Sequence, residues 1–278
     1  MFKILRKKVL TPVTKLYEIE APLVARRAEP GQFIILRLDE EGERIPLTIA
    51  DFDRERGTVT IVVQEVGKTT IELGLMNAGD HIQDFVGPLG VPAELPESGT
   101  VVCVGGGVGV APVYPKVKAM HEKGIKVISI IGARSADLLI LEDEMRAISD
   151  ELYVCTDDGT QGHKGFVSDV LKNLIEDKVE MDEVIAVGPL PMMRACVEVT
   201  RPHGIKTWVS LNPIMVDGTG MCGACRVTVG GETKFCCVDG PMFDGYAVDF
   251  AEAIRRGRMY ADEEKLAMER CHTCGGDK

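Results

Sequence analysis

Val101-Val102-Cys103-Val104-Gly105-Gly106-Gly107-Val108-Gly109-Val110-Ala111-Pro112 decides how this chain is read. Its four leading apolar residues form a run with no alternation, the pattern of a strand buried on both faces. The glycines that follow are a turn, and Val113 to Glu122, stopped by Gly124, reads as a helix. A strand feeding a helix through glycines presents unpaired N–H groups to a pyrophosphate, which makes Gly106, Gly107, Gly109, Ala111 and Pro112 candidate ligand contacts. Neither Gly105 nor Gly107, taken as the first glycine, gives the third glycine of the dinucleotide fingerprint, so the turn alone is also compatible with a tight connection that binds nothing.

Downstream, strand and helix alternate. Lys126 to Ile131, Leu152 to Cys155 and Glu183 to Val187 read as strands. Helices are expected near Leu138 to Ile148, over Val167 to Ile175 and from Pro191 to about Thr200. That order predicts a doubly wound parallel sheet, an α/β domain over about residues 99–212. Arg134, Asp157 and Asp158 follow predicted strand ends and would share the ligand edge with the glycine turn, although Asp157 and Asp158 also suit an Asx-type turn; Met192 and Met193 start a helix and read first as packing. Arg134 with Ser135 suits a 2′-phosphate, whereas Asp157 and Asp158 suit a free ribose.

Upstream, the pattern is short β segments, including Phe33 to Leu38 and Thr58 to Gln64, punctuated by Gly31, Gly57, Gly67, Gly79 and Gly87. This predicts a small antiparallel β barrel over about residues 1–98. Gly67-Lys68-Thr69-Thr70 offers backbone donors, hydroxyls and an ammonium to a phosphate, or is an ordinary surface turn.

The last section, about residues 213–278, is dense in glycine and cysteine. Asp217-Gly218-Thr219-Gly220-Met221-Cys222-Gly223-Ala224-Cys225, followed by Cys236-Cys237, has the soft ligands and pliant backbone of an iron-sulfur site. If Cys236 and Cys237 lie on a strand, their side chains point to opposite faces, and one of them, assigned as Cys237, joins Cys222 and Cys225. Plant-type 2Fe-2S sites space ligands as Cys-x4-Cys-x2-Cys, and five places before Cys222 stands Asp217, a candidate carboxylate ligand. The alternatives are Cys236 as fourth ligand, and zinc, which an adjacent cysteine pair suits poorly. Cys271 and Cys274 have redox spacing without a thioredoxin-like context.

Composition narrows the function further. The 278 residues carry a formal net charge of −11 and only 5% aromatic residues, which argues against a nucleic-acid partner. Lys3, Arg6, Lys7 and Lys8 break up any leader-like apolar core, and no run is long enough to span a membrane, so the expectation is a cytoplasmic protein with reduced cysteines.

Together Pro30-Gly31-Gln32-Phe33, Pro46-Leu47-Thr48, Gly67 to Thr70, Gly87-Pro88-Leu89-Gly90, Gly105 to Pro112, Gly188 to Met193 and the cysteine loop resemble, in order, the ferredoxin-NADP reductase superfamily. Within it the chain is similar to the branch of dihydroorotate dehydrogenase electron-transfer subunits. Asp217 and the long tail resemble the small subunits of NADH-dependent ferredoxin:NADP oxidoreductases and the related sulfide dehydrogenase beta subunits. The resemblance implies an oxidoreductase subunit that binds FAD through Pro46, Leu47, Thr48, Gln64 and Gly67 to Thr70, and NAD(H) on the parallel sheet with Gly188, Pro189 and Met192 among its contacts. It also implies a 2Fe-2S cluster, no catalytic acid, base or nucleophile, and a larger flavoprotein partner with 4Fe-4S clusters, similar to the glutamate synthase small chain, through which ferredoxin is reached. One departure stands out: Ile45 occupies the place of the family's flavin-motif arginine, and Arg44 precedes it.

Overall fold

The computed structural model describes residues 1–270; Cys271 and Cys274 lie outside the described residues. The first half builds β1 (Phe2–Thr11), β2 (Thr14–Glu20), α1 (Pro22–Arg27), β3 (Phe33–Arg37), β4 (Ile45–Asp53), β5 (Thr58–Gln64), α2 (Lys68–Leu75), β6 (His81–Ile82) and β7 (Asp84–Leu89). These strands pair antiparallel in the order β6-β1-β2-β5-β4-β3-β7. The outermost strands, β6 and β7, are separated in sequence only by Gln83, so the sheet curls back on itself as the expected barrel.

Alternation explains its two surfaces. Ile34, Leu36 and Ile49 fill the barrel, with Ile45 and Leu47 packed against them. Phe33 and Ile35, on the opposite face of β3, instead join the core of the second half. Register places Ile35 opposite Pro46 and Phe33 opposite Thr48, so these four share the outward face.

The second half runs β8 (Thr100–Gly106), α3 (Val110–Glu122), β9 (Lys126–Ala133), α4 (Glu142–Ile148), β10 (Glu151–Thr156), β11 (His163–Lys164), α5 (Val167–Glu176), β12 (Glu183–Val187), α6 (Leu190–Thr200) and β13 (Lys206–Ser210). All pair in parallel, in the order β11-β10-β9-β8-β12-β13. The chain leaves β8 toward one side and returns through β12 on the other, so the topological switch lies between those two strands. Helix α3 begins three residues earlier than its pattern predicts, because Pro112 in its first turn needs no N–H donor there.

The end of the chain is more regular than its glycine content suggests. β14 (Arg226–Val229) and β15 (Glu232–Phe235) form a hairpin, followed by a helical turn, α7 (Cys236–Asp239). β16 (Met242–Asp244) adds antiparallel to β13 at the edge of the parallel sheet, and α8 (Phe250–Arg256) and α9 (Ala261–Arg270) follow. The expected strand at Cys236 and Cys237 is therefore not formed. The Asp239 carboxylate accepts from the Phe235 N–H at 2.6 Å, which ends β15 and winds the next residues into a turn. Among the described residues no helix is long and apolar enough to cross a membrane.

Candidate functional site

The parallel strands β8, β9, β10 and β12 end at Gly106, Ala133, Thr156 and Val187. The sequence candidates stand on or just beyond those ends, along one edge of the sheet. Gly107 has φ +58° and nothing within 4 Å of where a Cβ would stand, so the turn opens outward. Gly109 is the opposite case: a Cβ there would strike the Val187 carbonyl. Met192 from α6 lies over this crevice, its sulfur packed against both Gly106 and Gly188. The β8 to α3 turn, straddling the switch point with its helix N-terminus free, fits a dinucleotide phosphate.

The loops after β9 and β10 are tied together. Thr160 Oγ1 accepts from the Ala136 N–H at 2.9 Å, and the Arg134 carbonyl accepts from the Asp158 N–H at 3.1 Å. The Asp158 carboxylate is turned into its own loop, accepting from the Thr160 hydroxyl at 2.7 Å and N–H at 2.9 Å, and these donors hold it below the usual carboxylate range. Ser135 Oγ is likewise committed, donating to Asp137 at 2.5 Å. Asp157 and the exposed Arg134 side chain remain for a ribose or its phosphate.

On the barrel, Pro46 and Thr48 lie on the outward face, while Leu47 points into the barrel core and can contribute only backbone. Ile45, in the place where an arginine was expected, packs on that core too, and Arg44 is exposed. Gln64 ends β5. Gly67 is not a simple surface turn: it caps α2, and Lys68, Thr69 and Thr70 make the helix's first turn. Thr70 Oγ1 accepts from the Gly67 N–H at 2.9 Å, while Thr69 Oγ1 donates to Glu43 at 2.9 Å. No atom stands within 4 Å of where a Gly67 Cβ would be, so the helix N-terminus faces open space suited to a flavin phosphate. The far end of α2 is anchored by the Tyr17 hydroxyl, donating to the Leu73 carbonyl at 2.6 Å, and by Lys7 Nζ, donating to the Gly74 carbonyl at 2.6 Å.

The cysteine loop brings distant residues together. The sulfurs of Cys225 and Cys237 are 3.3 Å apart. Burial and the neighbouring Cys225 thiol push Cys237 up to about 12, although the Gly220 N–H, directed at its sulfur, pulls the other way. Cys222 is exposed at the rim. Asp217 Oδ1 accepts from the Thr219 N–H at 2.8 Å and Oδ2 from the Cys222 N–H at 2.9 Å. Those backbone donors hold the carboxyl below its usual range, so it is ionised at neutral pH. Cys236 is wholly buried, its thiol pushed up by burial and packed into the core. Among the described residues no three His, Cys, Asp or Glu side chains gather as a single-ion site. Asp217, Cys222 and Cys225 stand on a glycine loop with positive φ at Gly218, Gly220 and Gly223, and Cys237 on α7 meets it through Cys225; soft ligands on so pliant a backbone are of the kind that can hold an iron-sulfur cluster.

This loop rests on the barrel. A Cβ on Gly218 would come within 2.7 Å of Leu89 Cδ1 and 2.8 Å of Ile35 Cδ1, and the residue holds φ +76°, a backbone that favours glycine where the loop settles on β3 and β7. Phe33, Ile35, Cys225, Cys236 and Cys237 belong to one buried core. Two arginines that sequence reasoning passed over hold the loop from its other side: Arg226 Nη1 donates to the Gly223 carbonyl at 3.2 Å and Arg256 Nη2 to the Ala224 carbonyl at 3.1 Å. Both act on backbone, which leaves no spacing signature.

Comparison with known proteins agrees with this arrangement. Residues 103–198 match an oxidoreductase NAD-binding domain, and residues 212–249 match the iron-sulfur cluster binding domain of dihydroorotate dehydrogenase B. A homolog of the dihydroorotate dehydrogenase B (NAD(+)) electron transfer subunit from Thermotoga maritima is 51% identical over 259 residues, covering 93% of this chain and 91% of the relative. An uncharacterized protein from the adh 3′ region of Clostridium beijerinckii is 54% identical over 296 residues, covering 100% of both. A chain in the solved structure of an NADH-dependent reduced ferredoxin-NADP oxidoreductase, determined for insight into flavin-based electron bifurcation, is 49% identical, with a TM-score of 0.92 and 97% of each chain covered. The chain belongs to the electron-transfer subunit family of dihydroorotate dehydrogenase B within the ferredoxin-NADP reductase superfamily, as an oxidoreductase subunit that carries FAD and an iron-sulfur cluster, binds NAD(H) and works with a larger partner.

Proposed function

We propose that this chain is the small subunit of an electron-bifurcating NADH-dependent ferredoxin:NADP oxidoreductase, relaying electrons between NAD(H) and a larger subunit. The observation that carries this reading is the packing of Gly218 against Ile35, the residue paired with Pro46 of the flavin motif. It sets the cluster loop directly on the strands that would hold the flavin. A flavin exchanges hydride with nicotinamide and single electrons with an iron-sulfur cluster, so no protein acid or base is needed. The work of the side chains is placement: the glycine turns of β8 and β12 receive the dinucleotide, and Pro46, Thr48 and the first turn of α2 receive the flavin.

Cys222, Cys225, Cys237 and Asp217 are proposed as the cluster ligands. A carboxylate offers about four lone-pair sites, and Asp217 spends two on the loop backbone, leaving others for iron. Met221, Val216 and Val238 surround these residues with exposed apolar surface, Met221 at 88%. A rim of this kind suits a docked partner, proposed here to resemble the glutamate synthase small chain and to carry its own FAD and 4Fe-4S clusters, with ferredoxin reached through it.

Anaerobically reconstituted protein should hold flavin and two irons per chain, and NADH should bleach the flavin and produce a reduced-cluster EPR signal. A colourless, iron-free product would overturn the reading. Loss of the signal in Asp217→Ala with retention in Cys236→Ala supports the ligand set; the reverse pattern transfers the fourth place to Cys236. Similarity to the Thermotoga maritima relative favours a second reading, the electron-transfer subunit of an NAD-dependent dihydroorotate dehydrogenase. The large subunit that co-purifies decides between the two.

A further inference from the structure

Arg256 ends α8, a helix capped by Asp249, whose carboxylate accepts from the Glu252 N–H at 2.8 Å, and anchored by buried Phe250 and Ala253. Its side chain leaves the helix C-terminus, where a positive charge is favoured, and reaches back 32 positions to the Ala224 carbonyl. Ala224 lies between Cys222 and Cys225. Arg37, Arg56, Arg146 and Arg194 each meet a carboxylate, but Arg256 has no ion-pair partner among the described residues. Its Nε is buried and has no acceptor.

A guanidinium partly withdrawn from water, with neither a carboxylate nor an acceptor for Nε, is costly unless an anion stands nearby. We propose that this anion is the cluster and that Arg256 is a positioning residue that ties the Cys222 to Cys225 loop and raises the cluster's reduction potential; this rests on the iron-sulfur reading above. The cluster gains one negative charge when it takes up one electron, so a fixed neighbouring cation stabilises the reduced form more than the oxidised one. Arg226 acts on the same loop through Gly223 but is exposed, so its charge is screened by water.

The test uses the full chain, reconstituted anaerobically and titrated with dithionite under EPR, comparing wild type with Arg256→Lys and Arg256→Gln. The glutamine variant should shift the one-electron equilibrium about tenfold toward the oxidised cluster, about 59 mV lower, while lysine, which keeps the charge, should restore most of the wild-type value. An unchanged potential in a glutamine variant that holds its iron overturns the inference. If that variant retains no iron, lysine decides: a loaded lysine variant near the wild-type potential supports the proposal, and one that is empty, or as low as the glutamine is expected to be, overturns it. A wild-type chain with no cluster signal instead defeats the iron-sulfur reading itself, so the two failures are distinct.

Discussion

The sulfurs of Cys225 and Cys237 lie 3.3 Å apart across 12 positions of sequence, joined by the β14–β15 hairpin that separates them. Cys236, next in the chain, is sealed in the core. Cys225→Ser and Cys237→Ser should each reduce bound iron to well below half of the wild-type content, measured per chain after reconstitution. Cys236→Ser should leave iron in place while lowering thermal stability, because a hydroxyl would be buried there without a partner.

The two glycines of the β8 to α3 turn separate binding from folding. At Gly107 an alanine meets open space but must hold φ +58°, a strain of about 1–2 kcal/mol, and it projects toward the proposed phosphate site. Gly107→Ala should fold and lose at least tenfold in NADH affinity by fluorescence titration. Gly109→Ala drives a methyl into the Val187 carbonyl and should fail as a folded protein by circular dichroism.

Lys116 is wholly buried in α3, with Nζ donating to the Pro112 carbonyl at 2.7 Å and Cys103 nearby, its own thiol pushed up to about 12 by burial. Burial lowers the ammonium from 10.5 to about 8, with Cys103 opposing the shift. A group depressed in this way penalises folding where both states are protonated, below about pH 8, by up to ~3 kcal/mol, and the penalty fades as pH rises toward 10.5. Lys116→Met should therefore be more stable than wild type at pH 7 in urea titrations, with the gap narrowing between pH 8 and 10.

Tyr17 is buried with its hydroxyl on the Leu73 carbonyl. Tyr17→Phe leaves that carbonyl without its donor and should cost ~1–3 kcal/mol in denaturant unfolding. Because it loosens the far end of α2, FAD should also dissociate faster.

What could be read in advance follows from burial. Thr58 to Gln64 and Glu183 to Val187 match their strands residue for residue, since short runs rich in valine, isoleucine and threonine between turn residues admit few alternatives. Short elements closed by local hydrogen bonds escaped. Cys236 and Cys237 look like a continuation of β15 until Asp239 caps it, and α2 is masked by Thr69 and Thr70, which favour helix weakly. The cysteine and carboxylate candidates were visible as types and spacings. Arg226 and Arg256 were not, because they hold backbone carbonyls, and in Arg256 the carbonyl lies 32 positions away.

The stretch that carries the cysteines leaves the parallel sheet after β13 and returns to the same edge as β16, with the Leu211 N–H on the Pro241 carbonyl at 3.0 Å. Both ends are thus stitched into one slab rather than hung on a tether. A cluster held by this stretch would ride on the frame of the sheet, and an electron leaving it would cross a span fixed by that frame rather than by a swinging tether. Turnover limited by that hop would be insensitive to solvent viscosity, unlike that of carriers whose mobile domain must first swing into reach.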